Sequence, residues 1–103
     1  MIPDLETLEE YEKYLHRQPP GEIVGETCSL INDPLARWLR HCYPGNVQVS
    51  SKFILVRAQT YAHTPLTCEL YRQTDAIGVV RPVTAATALQ HLRNARERVR
   101  AAV

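Results

Sequence analysis

The sequence predicts an α+β fold: a small antiparallel sheet, built on a hairpin over residues 47–58 with a short strand near 22–25, set against about four helices. Three observations lead there. A chain of 103 residues suffices for one hydrophobic core and is too short for two ordinary domains, so residues 1–103 form a single domain. Asp4, Asp33, Thr64 and Thr84 each stand as a helix cap before apolar residues at helical spacing. Between them, VQVSSKFILVRA combines apolar alternation with a continuous apolar run, the pattern of a hairpin.

The first helix follows Asp4, with Leu5, Leu8, Tyr11 and Leu15 on one stripe, Glu6 in the first turn and His16 and Arg17 in the last. Pro19-Pro20-Gly21 ends it. Glu22-Ile23-Val24-Gly25, too short for a helix, is expected to be a strand that joins the later hairpin. In CSLINDPLARWLRHCYPGN, Asp33 caps a second helix and Pro34 takes its first position. Leu35, Trp38, Leu39 and Cys42 fall at i, i+3, i+4 and i+7, so Cys42 is expected in the core, with Arg37, Arg40 and His41 on the other side.

Val47 and Val49 alternate on the first arm of the hairpin. Phe53 to Val56 are apolar on both faces, as a central or covered strand requires. Residues 59–63 read as a loop. Thr64-Pro65 then opens a third helix through Leu66, Leu70 and Ile77, ending at Gly78, and Val79 to Val83 are extended. Thr84 caps the last helix, whose stripe is Ala85, Ala88, Leu89, Leu92, Ala95 and Val99.

Charge is distributed unevenly. The net charge is +1, yet residues 1–27 carry −5 and the remainder +6. Arg93, Arg96 and Arg100 project along one face of the last helix with Arg98 at its edge, and Arg37 and Arg40 would join them if the second and last helices lie side by side. Ten of the twelve bases are arginine, which suits recognition of phosphate or carboxylate by the planar guanidinium; a codon bias gives the same excess. The favoured account of the asymmetry is that the acidic and basic ends attract one another or solvate two helix faces.

Chemistry is harder to find. Cys28, Cys42 and Cys68 are odd in number and irregular in spacing, as expected of reduced, core-filling thiols in a cytoplasmic protein. Cys28 and Cys42 flank a helix of about ten residues, which separates its ends by roughly 15 Å, and no tight cysteine pair offers a structural zinc site. A mixed site of Cys28, His63 and Cys68, or a Cys68 thiolate beside His63, has only weak spacing behind it. There is no phosphate loop, serine elbow or HExxH, so no catalytic residue, metal or cofactor is expected, and no enzyme activity. No apolar run could span a bilayer, and the acidic start MIPDLETLEEYEKY does not resemble a signal peptide.

PPGEIVGETCSLINDPLARWLRHCYPGNVQVSSKFILV and RPVTAATALQHL together resemble a group of short hypothetical bacterial and phage-encoded proteins with a C-x(n)-P-L-A-x-W-L helix and a V-T-A-A-x-A-L helix. The resemblance spans Leu5 to Leu92 and rests on core and capping positions, Pro34, Leu35, Ala36, Trp38, Leu39 and Thr84. It implies a compact protein that acts by binding. The expectation is a small non-enzymatic interaction or regulatory module with a protein partner, for which Arg93, Arg96, Arg98, Arg100, Arg37 and Arg40 are the binding candidates. The alternative is nucleic-acid binding by the last helix. Protein binding requires an uncovered apolar or charge-complementary patch, of the kind homodimers also use.

Overall fold

Residues 4–102 are described by a computed structural model. In chain order the elements are α1 (Glu9–His16), β1 (Ile23–Glu26), α2 (Pro34–Cys42), β2 (Val47–Val49), β3 (Phe53–Val56), β4 (Gln59–Ala62), α3 (Pro65–Asp75), β5 (Pro82–Thr84) and α4 (Ala85–Ala101). The fold is α+β as expected, with two small antiparallel sheets in place of one. Among the described residues no helix is long and apolar enough to cross a membrane.

The three later helices begin where their caps stand. Asp33 accepts from the N–H groups of Leu35 and Ala36 at 2.8 and 3.3 Å, and Pro34 opens α2. Thr64 and Thr67 form a reciprocal capping box on α3, and the Thr84 hydroxyl accepts from Thr87 N–H at 3.2 Å on α4. The first helix departs from its expected start. The Asp4 carboxylate accepts from Glu6 and Thr7 N–H, and with a hydrogen bond from the Thr7 hydroxyl it closes a separate turn. That hydroxyl, first among the causes, holds the Asp4 carboxyl below its ordinary range. Leu8 then adopts a left-handed conformation, φ 57°, before α1 begins at Glu9. This backbone costs about 1–2 kcal/mol; Leu8 is fully buried in return.

β2, β3 and β4 form one sheet with β3 central; Ile54 and Val56 of its apolar run are buried, whereas Leu55 is half-buried and Phe53 exposed on the other face. β4, expected to be a loop, is a strand because the two-residue turn Arg57-Ala58 folds it back in register, Val56 opposite Gln59 and Phe53 opposite Ala62. Arg57 takes the left-handed position that such a turn needs, φ 59°, and its Nε donates to Pro44 O at 3.0 Å. Mostly polar and exposed, β4 lacks the alternation that marks a half-buried strand.

The strand at 23–26 does not join that hairpin. It pairs with β5, Glu26 opposite Pro82 and Ile23 opposite Thr84, in a separate two-stranded ribbon. α4 packs on α3, α1 and both strands of the ribbon, while α2 packs on β1, β2 and α1. The core between them holds Leu8, Tyr11, Leu15, Trp38, Leu39, Ile54 and Leu92, with the rings of Tyr11 and Trp38 at 5.3 Å. Cys42, expected on the core stripe, is exposed at the last turn of α2, because Leu35, Ala36, Trp38 and Leu39 complete the buried face before it. Ile77 also lies outside the core: α3 ends at Asp75, and Gly78 turns the chain at φ 75°.

Candidate interaction surface

The arginines of α4 divide by what they touch. Arg96 leans toward α1, where Nη1 donates to Glu12 Oε1 at 2.9 Å and Nη2 to Thr7 O at 2.9 Å. Arg93 Nη1 donates to Gln90 Oε1, one turn back on its own helix, at 3.2 Å. Arg98 and Arg100 are exposed, and among the described residues neither has a carboxylate within 4.0 Å. Arg96 and Arg100 share an open cleft of about 500 Å³ with Glu6, Glu9 and Glu12. The acidic and basic ends thus meet across the α1–α4 contact through Arg96 and Glu12, the first of the two arrangements the charge asymmetry allows. Arg37, exposed, and Arg40, half-buried, ride on α2, which does not pack along α4, so the six candidates do not form one surface.

The thiols are dispersed. Cys28 is half-buried in the β1–α2 loop with φ 53°, its N–H donating to Asp75 Oδ1 at 2.9 Å. Cys68 is half-buried in the first turn of α3. Desolvation pushes the exposed Cys42 thiol up, away from the thiolate form. His63 has both ring nitrogens occupied: Nε2 is 2.6 Å from Ser50 O and Nδ1 2.9 Å from Thr67 Oγ1. A carbonyl oxygen only accepts, so Nε2 carries a proton. Among the described residues no three His, Cys, Asp or Glu side chains gather into a metal-binding group.

Two titratable groups are strongly shifted beneath this region. Burial pushes the Asp33 carboxyl up to about 7, with a small push in the same direction from Asp75, against the opposing pull of its two backbone donors. A hydrogen bond to Asp75, aided by burial, pushes the Tyr71 hydroxyl up to about 12. Two loops, 27–32 and 76–81, leave the same end of the β1–β5 ribbon, and the Cys28 N–H bond to Asp75 ties the first of them to the end of α3. Thr27 stitches the loops together: its N–H donates to Arg81 O at 2.9 Å, its hydroxyl donates to Val79 O at 2.5 Å, and it accepts from Arg81 N–H at 2.8 Å. Glu26 N–H donates to Asn32 O at 2.7 Å and closes the first loop at its base.

These loops carry the largest concentration of exposed aliphatic side chains among the described residues. Leu30, Ile31, Ile77, Val79 and Val80 are all about half exposed, Val80 most of all at 59%. Exposed aliphatic residues concentrated on neighbouring loops are the kind of surface that marks interaction sites. Neither stretch 27–32 nor stretch 76–80 contains a charged residue. Sequence periodicity misses the patch because it lies on loops. The available signal was two short aliphatic runs, Leu30-Ile31 and Val79-Val80, flanked by turn residues and outside any amphipathic stripe.

No protein-family model, characterised protein or solved structure matches the chain.

Proposed function

We propose that the protein is a non-enzymatic binding module that docks another protein on the aliphatic surface of the 27–32 and 76–80 loops. The observation that carries this reading is the grouping of five half-exposed aliphatic residues on loops held in place by Thr27 and Asp75. A hydrogen-bonded support keeps the apolar side chains presented before a partner arrives, which lowers the ordering cost of association. The arginines of α4 take the secondary role of steering and rim contacts, with Arg98 and Arg100 the exposed members.

Nucleic-acid binding is the competing reading, supported by the exposure of those two residues. Against it, Arg96 is engaged by Glu12, and three carboxylates line the same cleft, where a polyanion would meet them. The test is capture from a lysate of the source organism, with nuclease, using wild type, Val80→Asp and the Arg98→Ala/Arg100→Ala double variant. A partner that survives nuclease, persists with the arginine variant and is lost with Val80→Asp is the expected result. Nucleic acid retained by wild type and lost with the arginine variant would overturn it.

A further inference from the structure

The two edges of the three-stranded sheet differ in how far their backbone groups are satisfied. Arg57 N–H donates to Asn46 O at 2.6 Å and Ser50 N–H to Phe53 O at 3.0 Å, which fixes the phase of the β2–β3 ladder. Antiparallel pairs alternate, so Leu55 bonds to Gln48, while Ile54 and Val56 turn their N–H and C=O groups toward Tyr61 and Gln59 of β4. Val47 and Val49 therefore face outward from β2, and Thr60 and Ala62 outward from β4.

The β2 edge is taken up by the 27–32 loop, where Val49 N–H donates to Leu30 O at 2.9 Å. The β4 edge is open. Among the described residues the N–H and C=O groups of Thr60 and Ala62 meet no partner, and both residues are exposed. Sheet edges are commonly blunted by charge, proline or a bulge. Gln59-Thr60-Tyr61-Ala62 contains no charged residue and no proline, and its register with β3 runs without a shift.

The geometry selects what can satisfy this edge. The outward groups of Thr60 and Ala62 recur every second residue, about 7 Å apart. Extended backbone presents donors and acceptors at that spacing, whereas a helix bonds its own backbone groups internally. Side chains add a preference. Cross-strand partners share a face, so Phe53 and Leu55 lie with Ala62 and Thr60 on the open face of the sheet, where Phe53 is 38% exposed. Ala62 is small, so a large apolar side chain placed opposite it reaches the Phe53 ring.

We propose that β4 binds an extended peptide segment of another protein, which adds to the sheet as a further antiparallel strand with an apolar residue opposite Ala62. This edge lies across the sheet from Leu30, and the proposal is independent of docking on the 27–32 and 76–80 loops.

The probe is the synthetic peptide acetyl-Lys-Thr-Phe-Thr-Val-Thr-Lys-amide, whose Phe falls opposite Ala62 and whose Val falls opposite Thr60 in antiparallel register. It is titrated to about 2 mM into isotope-labelled protein, within the range of weak main-chain recognition. The Thr60 and Ala62 amide resonances are expected to move downfield and saturate. N-methylation of the peptide's Phe and Val, whose N–H groups face β4, weakens binding about tenfold or more. N-methylation of its central Thr, whose N–H faces away, leaves binding within about twofold. Thr60→Pro removes the outward donor while every bond to β3 remains, so it binds about tenfold more weakly with an unchanged circular dichroism spectrum.

Thr60 and Ala62 amides that stay unmoved through the titration overturn the proposal, as does a folded Thr60→Pro that binds with wild-type affinity. So does a peptide methylated at Phe and Val that binds as tightly as its parent, an outcome that does not depend on how any variant folds.

Discussion

Arg96 on α4 lies 2.9 Å from Glu12 on α1, and its other terminal nitrogen donates to the carbonyl of Thr7 at 2.9 Å. One side chain thus ties the last helix both to the first and to the turn that precedes it. The contact joins the acidic and basic parts of the chain, and it withdraws the central arginine of the basic face from any external ligand. Arg96→Ala is expected to cost about 1–2 kcal/mol in urea unfolding, since it removes two charge-assisted donors. Glu12→Ala costs less, and a double-mutant cycle between them returns about 0.5–1 kcal/mol of coupling that shrinks in high salt. Additive single effects would show that the Arg96–Glu12 pair itself contributes nothing to the joining of the helices.

Asp33 combines a cap with a buried charge, and two substitutions separate those roles. Asp33→Asn keeps an oxygen for Leu35 and Ala36 N–H, whereas Asp33→Ala leaves both unpaired at a cost of about 1 kcal/mol or more. Because the folded-state carboxyl titrates near 7 instead of 3.8, the native state holds its proton more tightly than the unfolded chain. Its contribution to stability is therefore full below about pH 4 and lost as pH rises through about 7. Relative to wild type, Asp33→Asn should gain stability across that window, by on the order of 4 kcal/mol. A wild-type-minus-Asn difference that is flat from pH 4 to pH 8 would contradict the burial argument.

His91 titrates in the opposite sense. Its Nδ1 is buried without a hydrogen-bond partner, and burial holds the ring's pKa below 6.5. The neutral form suits the fold, so its contribution is present above about 6.5 and lost as pH falls through the folded-state value. His91→Leu is expected to raise the melting temperature by a few degrees at pH 5, and by less at pH 8. An equal change at both values would assign the effect to shape instead of charge.

Gly25 sits where α2 begins against the ribbon. A Cβ there would lie 2.6 Å from Asn32 O and from Pro34 N, both backbone atoms that cannot move aside singly. Gly25→Ala is expected to cost roughly 2–3 kcal/mol. Gly21→Ala, where a Cβ meets nothing within 4 Å, should be neutral or slightly stabilising. Chemical unfolding of the two variants side by side tests the contrast.

Much of the fold was legible because its signals are local. Asp33-Pro34, Thr64-Pro65 and Thr84 state where α2, α3 and α4 begin through bonds to N–H groups two or three residues away. The continuous apolar run of β3 foretold its central place in the sheet, but not that one of its faces stays open, with Phe53 exposed and Leu55 half-buried. Polar β4 was not legible, because its pairing comes from β3 and from the Arg57 turn. Nor was the choice of partner for β1, which rests on contacts nearly sixty residues away in β5.

The sequence by itself determined the α+β class, the starts of the last three helices, the hairpin and the unequal charge of the two ends, all properties of neighbouring residues or of composition. Tertiary structure alone decided that Arg96 is a tie between helices, that Cys42 is exposed, and that Leu30, Ile31, Ile77, Val79 and Val80 stand exposed on two neighbouring loops. The physical reason is distance along the chain. Periodicity and caps report interactions within a few residues, whereas the patch exists only because Thr27 binds the backbone of Val79 and Arg81, which brings together two loops that carry no periodic signal of their own.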